Sequence, residues 1–153
     1  MTRYPKLIFP PIPKSLVRRT KEGIYYVDQV RGIRLKLTPE EWVRRHVIEW
    51  LKGQGVQEVQ IIQEYPVRMN GQMQRADVVV VTPSGRPLLL VECKAADVAL
   101  GQAELDQLVC YNMELQAPWI MLTNGRAFSL LQRTEQGYRT ENDPPCDWLS
   151  DQK

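Results

Sequence analysis

Two stretches of the chain are apolar without a break: Val78-Val79-Val80-Val81 and Leu88-Leu89-Leu90-Val91. A strand with one wet face alternates polar and apolar residues. Unbroken apolar runs therefore predict strands buried on both faces, with helices covering each side of their sheet. Pro83-Ser84-Gly85-Arg86 lies between the runs and predicts a tight turn joining strands at 76–81 and 87–93. Residues 56–67 predict a preceding strand, ended by the Asn70-Gly71 turn. Residues 119–123 and 127–132 predict two later strands joined at Asn124-Gly125.

The helical period appears in two places. Thr38-Pro39-Glu40-Glu41 predicts a helix start, with Thr38 as N-cap, Pro39 at the first helical position and Glu41 closing a capping box. That helix runs to about Lys52, where Gly53 and Gly55 stop it. A second spans 101–116. Pro5, Pro10, Pro11 and Pro13 predict an extended arm near the N-terminus. A hairpin follows, with strands at 24–27 and 33–37 around 28–32. From Thr134 onward, with Asp143-Pro144-Pro145, the chain predicts an irregular, loosely held tail. The organisation expected is a basic arm over 1–22, one α/β domain over 23–133 and a tail over 134–153.

A length of 153 residues suits one hydrophobic core. No apolar run is long enough to span a bilayer, and the N-terminus lacks the apolar core and cleavage site of a signal peptide. Cys93, Cys110 and Cys146 are widely spaced, with no CxxC pair, which argues against a disulfide framework or zinc site and for the cytoplasm. A net charge of +2 hides an uneven distribution. Through Gly53 there are 12 Lys and Arg against 5 Asp and Glu; from Gln54 there are 8 against 13. The basic half has the charge to follow a phosphate backbone and the acidic half holds carboxylates for a metal, although segregation on a solvated surface is also common.

The chemistry gathers at one end of the predicted hairpin. Glu92 and Lys94 are two residues apart and so share a face of an extended strand. Asp77 opens the partner strand, so the hairpin brings it beside them. Ionised groups at the end of a buried strand must be paired or bind a metal. Carboxylate oxygens suit Mg²⁺ or Mn²⁺, and the Cys93 carbonyl offers a third ligand. A lysine beside the ion can activate water and offset charge on a phosphoryl oxygen. A plain Glu92–Lys94 salt bridge is the simpler alternative.

Arg75-Ala76-Asp77-Val78-Val79-Val80, followed after the turn by Leu90-Val91-Glu92-Cys93-Lys94-Ala95, resembles the PD-(D/E)xK nuclease superfamily. Within it, the stretch from about Thr38 to Gln132 looks most like the N-terminal nuclease domain of type I restriction enzyme R subunits. Ala76 stands where the superfamily's name has proline, and these residues hold none of the motor domains of such subunits. The resemblance implies a restriction-endonuclease-like core, a central mixed sheet flanked by helices, and Mg²⁺- or Mn²⁺-dependent hydrolysis of phosphodiester bonds, with DNA the expected substrate while the residues themselves leave DNA and RNA both open. Catalytic roles fall to Asp77, Glu92 and Lys94. Gln107 and Tyr111 resemble the family's QxxxY motif, four apart and so on one helix face. Thr123-Asn124-Gly125 also resembles this subgroup. An acid from the first helix is implied as well. Glu40 aligns with the inward stripe Val43, Val47 and Leu51 and is preferred, with Glu41 held in reserve; both also suit the positive end of the helix dipole. Implied partners are nucleic acid and either a second copy of the chain or a restriction or repair protein.

Arg44, Arg45, Arg18 and Arg19, with Lys21, are candidate phosphate contacts or ordinary surface charges. His46, the one histidine, reads as an incidental surface residue. Trp42, Trp50 and Trp119 read as core or groove-edge residues, and Cys93 should point into the core, away from Glu92 and Lys94. A module that keeps the fold and binds nucleic acid without cleaving it is the second functional class.

Overall fold

The chain folds as a small three-stranded sheet, a helix, and a larger mixed sheet interrupted by a second helix. In this computed structural model, residues 4–145 and 148–149 are described. The elements are β1 (Val17–Thr20), β2 (Gly23–Asp28), β3 (Ile33–Lys36), α1 (Pro39–Gly53), β4 (Ile61–Met69), β5 (Gln72–Val81), β6 (Pro87–Cys93), α2 (Gln102–Leu115), β7 (Trp119–Thr123), β8 (Phe128–Thr134) and β9 (Gly137–Glu141). The large sheet has the order β4-β5-β6-β7-β8-β9. Only β6 and β7 run parallel. They do so because α2 provides the crossover that parallel neighbours need.

The apolar runs are buried on both faces, as their pattern requires. Val78, Val80, Leu89, Val91, Cys93 and Met121 pack toward Val43, Val47 and Leu51 of α1. Val79, Val81, Leu90, Ile120 and Leu122 pack toward Leu108 and Tyr111 of α2. Val43, Val47 and Leu51 are fully buried, each contributing about 2 kcal/mol by leaving water. This is a mixed α/β architecture of the restriction-endonuclease-like kind, a central sheet between helices.

The start of α1 follows half of its expected pattern. Thr38 Oγ1 accepts the Glu41 N–H at 3.1 Å, as an N-cap should. Glu41 does not reach back to close the box. The Thr38 N–H donates instead to the Lys36 carbonyl, and the Glu41 carboxylate is drawn to Arg44 and Arg45.

The flanks differ more. The proline-rich arm is extended but docked: Leu7, Phe9 and Ile12 are buried, and the Ile8 N–H donates to the Gly125 carbonyl at 2.8 Å. Gly125 has φ +82°, and a Cβ there would lie 2.8 Å from Leu7 Cδ1, so glycine is needed on two counts. Val17–Thr20 forms β1 against β2, so a boundary at residue 22 would cut that hairpin. The tail is not irregular throughout. β9 pairs with β8, and Trp148 and Leu149 are buried, Trp148 lying 5.8 Å from Trp50 and 5.4 Å from Trp119. Cys146 lies outside the described residues.

His46 is not a surface residue. It is 4% exposed, packs edge-on to Trp42 and engages the Trp42 carbonyl through Nδ1 at 2.7 Å. Burial pushes its pKa down, against the pull of that carbonyl, which favours the neutral ring. Among the described residues no helix is long and apolar enough to cross a membrane.

Candidate active site

The register of β5 and β6 pairs Val78 with Val91, so the next step sets Asp77 beside Glu92. Asp77 Oδ2 accepts the Cys93 N–H at 2.7 Å, which ties the carboxylate to the backbone of β6. Glu92 and Lys94 alternate with Leu90 and face α2, while the Cys93 side chain faces α1, as its position between them requires. The Lys94 N–H donates to the Thr123 carbonyl at 2.8 Å, carrying β6–β7 order past the strand end. Lys94 Nζ is 3.9 Å from Glu92 Oε1, near enough to feel the charge but too far to bond it.

Glu92 is the strongly perturbed carboxylate here. Its pKa is pushed up to about 8, first by burial and then by the Asp77 charge, with Lys94 pulling the other way. Its Oε2 is buried without a hydrogen-bond partner among the described residues. Tyr111 is drawn into the same field: burial first, then Glu92 and Asp77, raise its phenol. Gln107 Nε2 donates to the Tyr111 hydroxyl at 3.3 Å. The QxxxY pair thus shares one face of α2, and Tyr111 lies within the field of the carboxylates.

β4 adds an acid that the sequence reading missed. Gln63 pairs with Val78 and Tyr65 with Ala76, which leaves Glu64 outside the ladder opposite Asp77. Its φ is +53°, a conformation that costs a non-glycine residue about 1 kcal/mol. The signal available was Pro66, two residues on, since proline inside a strand marks an edge or a bulge.

α1 brings two arginines with opposite fates. Arg44 points into the cluster, its guanidinium 3.5 Å from Glu41, 3.6 Å from Asp77 Oδ1 and 3.9 Å from Glu64. Burial works to lower its pKa, but Glu41 and then Asp77 outweigh burial and raise it. Arg45, expected at phosphates, is 3% exposed and turned inward. It meets Glu41 at 2.8 Å, Asp28 at 3.7 Å and the Gln63 side-chain oxygen. Burial lowers its pKa, and its side chain is engaged by Glu41, Asp28 and Gln63 rather than exposed on the surface. Arg18 and Arg19 are exposed on β1 in the small sheet, with Arg18 donating to the Ser15 and Val17 carbonyls.

Glu40 is exposed, and its charge adds to the upward push on Glu92. Glu41 is committed to Arg44 and Arg45. The two acids are therefore distinguished by their partners: Glu41 is held by arginines, and Glu40 is exposed and adds to the push on Glu92.

A buried carboxylate oxygen with no partner, beside a second carboxylate, is a donor set suited to a hard divalent cation. Among the described residues no group of three or more His, Cys, Asp or Glu side chains is arranged as a metal site, so the pair would need backbone or solvent oxygens to complete a shell. Two clefts lie elsewhere. One of about 410 Å³ is lined by Asp28, Arg45 and Gln63, and one of about 1030 Å³ by Lys6, Arg18, Trp42 and His46. Neither contains Asp77, Glu92 or Lys94, which sit in an open strand-end site.

A model of the family described as type I restriction enzyme R protein N terminus (HSDR_N) matches residues 39–143, from the first turn of α1 past β9. Among solved structures, a fragment of a protein described as an HsdR subunit of a type I restriction enzyme from Vibrio vulnificus YJ016 is similar, with a TM-score of 0.55 and 22% identity. The likeness covers 69% of this chain and 23% of that one, and at such identity it shows the fold alone. No curated protein matches.

Proposed function

The chain belongs to the family of type I restriction enzyme R protein N termini (HSDR_N), and on that premise we propose that it is a divalent-metal-dependent nuclease of PD-(D/E)xK type, hydrolysing phosphodiester bonds in DNA. The observation that carries the proposal is the Glu92 carboxylate. It is buried, has one oxygen without a hydrogen-bond partner among the described residues, has a pKa pushed up to about 8 by burial first and the Asp77 charge second, and has a lysine 3.9 Å away. A fold has no structural use for such a group, because replacing it by an apolar residue would relieve the burial at once.

Asp77 and Glu92, with the Cys93 carbonyl, would hold Mg²⁺ or Mn²⁺. Bound there, the ion supplies a water of lowered pKa and Lewis-acid stabilisation of the phosphoryl oxygens. Asp77 Oδ2 accepts the Cys93 N–H, which leaves Oδ1 the freer atom to face a ligand. Glu92 must release its proton to act as an anionic ligand. Lys94 orients the attacking water and offsets charge on the phosphoryl oxygen. Tyr111 and Gln107 close the α2 side, and Glu40 contributes negative charge from α1. The chain spans about a quarter of the relative's length.

The test is a gel assay on supercoiled plasmid and single-stranded DNA with Mg²⁺, Mn²⁺ or EDTA, beside Asp77→Ala and Lys94→Ala. Metal-dependent cutting by the wild type, lost in both variants, supports the proposal. A wild type that neither cuts nor binds metal overturns it. The second reading, a module that binds nucleic acid without cutting, is favoured by one observation: among the described residues no three His, Cys, Asp or Glu side chains are arranged to hold a metal. DNA binding without cutting under every metal condition would select it, and size-exclusion chromatography would show whether a second copy is a partner.

A further inference from the structure

The cation already inside the candidate site is Arg44. Its guanidinium lies 3.5 to 3.9 Å from Glu41, Asp77 and Glu64, with no carboxylate at bonding distance, and its Nε is buried without a hydrogen-bond partner among the described residues. An arginine built to lock a structure pairs closely, in a two-pronged fashion, as its planar fork allows. The next residue differs in distance: Arg45 Nε stands 2.8 Å from Glu41 Oε1, a close ion pair although neither atom makes a well-aligned hydrogen bond. Arg44 is held by the field of three carboxylates rather than by directed bonds.

The atom that it faces is the decisive detail. Asp77 has one oxygen fixed by the Cys93 N–H, and Arg44 stands 3.6 Å from the other. Oδ1 is the Asp77 oxygen without a backbone bond and so the freer one for a divalent ion, and an ion placed there meets the Arg44 charge 3.6 Å away, which repels it. We propose that Arg44 is an exchangeable counter-cation and phosphate-positioning residue: it neutralises Asp77 in the metal-free protein and is released to a DNA phosphate when the ion binds. Planar and weakly hydrated, a guanidinium suits both a carboxylate and a phosphate, so the exchange replaces one anionic partner by another. Metal binding and DNA binding are thereby coupled through a side chain that touches both, and the coupling is reciprocal. The inference rests on the nuclease reading above.

The test uses the full chain and two readouts other than cleavage. Mn²⁺ affinity is measured by calorimetry without DNA for the wild type, Arg44→Met and Arg44→Lys. Removing the competing charge should tighten Mn²⁺ binding several-fold in Arg44→Met, and Arg44→Lys, which keeps the charge, should return it toward the wild-type value. DNA binding is then followed against salt, once with Ca²⁺ as a non-cleaving ion and once with EDTA. With Ca²⁺, the slope of log K against log salt should fall in Arg44→Met by about 0.9, the equivalent of one phosphate. With EDTA it should not change. Unchanged Mn²⁺ affinity in Arg44→Met, or a slope change that is equal with Ca²⁺ and EDTA, overturns the exchange. If the wild type binds no Mn²⁺, or Asp77→Asn binds it equally well, the nuclease reading falls with it. Wild-type binding lost in Asp77→Asn but unmoved in Arg44→Met removes the exchange alone.

Discussion

Two charged clusters flank β4 and the first half of α1, and they are built differently. In the first, Arg45 and Arg31 meet Asp28, Glu41 and Gln63 behind β2 and β3, with contacts of 2.7 Å for Arg31–Asp28 and 2.8 Å for Arg45–Glu41. Asp28 also caps its turn, accepting the N–H groups of Val30 and Arg31. Burial tends to raise the Asp28 pKa, but those bonds and the Arg31 side chain bring it below the ordinary value. In the second, Asp77, Glu92, Glu64, Lys94 and Arg44 stand 3.6 to 3.9 Å apart across every ion pair among them, and Glu92 is raised to about 8. A cluster that pairs closely gains from being left alone. A cluster with excess anion, loose contacts and an orphaned oxygen gains from a ligand. Close pairing marks architecture, and loose pairing marks a site.

The largest effect should follow from breaking the loose cluster's chemistry. Asp77→Asn keeps the shape and the Cys93 bond but removes the charge. Metal-dependent cleavage should drop by about a thousandfold, a loss of about 4 kcal/mol in transition-state stabilisation, with little change in the urea midpoint. Substantial residual cutting in Asp77→Asn would move the chemistry elsewhere in the chain.

The opposite result belongs to the close cluster. Arg45→Met removes a cation that is 3% exposed and takes from Glu41 its closest partner, while Asp28 keeps Arg31, so the protein should lose about 3 kcal/mol of stability, read by urea unfolding. Cleavage per folded molecule should stay near wild type. A stable Arg45→Met protein that has lost cutting would make Arg45 part of the site and dissolve the contrast.

What the sequence made visible follows the same division. Apolar runs and helical spacing exposed β5, β6, α1 and α2, and the two-residue gap from Glu92 to Lys94 placed both on one face, because strand and helix periods are local properties. Arg44 and Arg45 looked alike, since adjacent helical residues differ only in direction and the surroundings come from β4 and β2. Thr38-Pro39-Glu40-Glu41 showed the N-cap but not the arginines that take Glu41 from the capping box. β9, Gly-Tyr-Arg-Thr-Glu, has the polar composition of an edge strand and escaped the apolar pattern, although Tyr138 engages Asn112 at 3.0 Å. Trp148 and Leu149 escaped for a related reason: two apolar residues beyond Pro144-Pro145 carry no period, and only the cavity beside Trp50 and Trp119 shows where they belong.

A further prediction sharpens the loose cluster through pH. Between the ordinary carboxylate value and about 8, folded Glu92 holds a proton that the unfolded chain has released. Its contribution is therefore most favourable at the acid end of that window and declines as pH rises through it, at no more than about 1.4 kcal/mol per pH unit. In EDTA, thermal unfolding should move to lower temperature from pH 6 to pH 8. Glu92→Gln, which cannot ionise, should flatten that dependence and be more stable than the wild type at pH 8. Mn²⁺ should restore more stability at pH 8 than at pH 6, because at the lower pH it must compete with the proton. A pH dependence that survives in Glu92→Gln would assign it to another group.

The smallest expected effect concerns Glu64, whose φ of +53° sits in an otherwise extended edge strand. Glu64→Gly relieves backbone strain of about 1 kcal/mol, and the added freedom of glycine in the unfolded chain offsets about half of it. The lost pairs, at 3.9 Å to Arg44 and 3.7 Å to Arg75, lie at a half-exposed carboxylate and weigh little against that gain. A net stabilisation of about 0.5 kcal/mol should appear in the urea midpoint, and Glu64→Val, β-branched at positive φ, should lose stability. If Glu64→Gly stabilises while cleavage falls, the strain holds this carboxylate against Asp77 for the reaction. If it stabilises and cleavage is untouched, the strained residue only distorts the edge strand locally, and the loose cluster shrinks to Asp77, Glu92, Lys94 and Arg44.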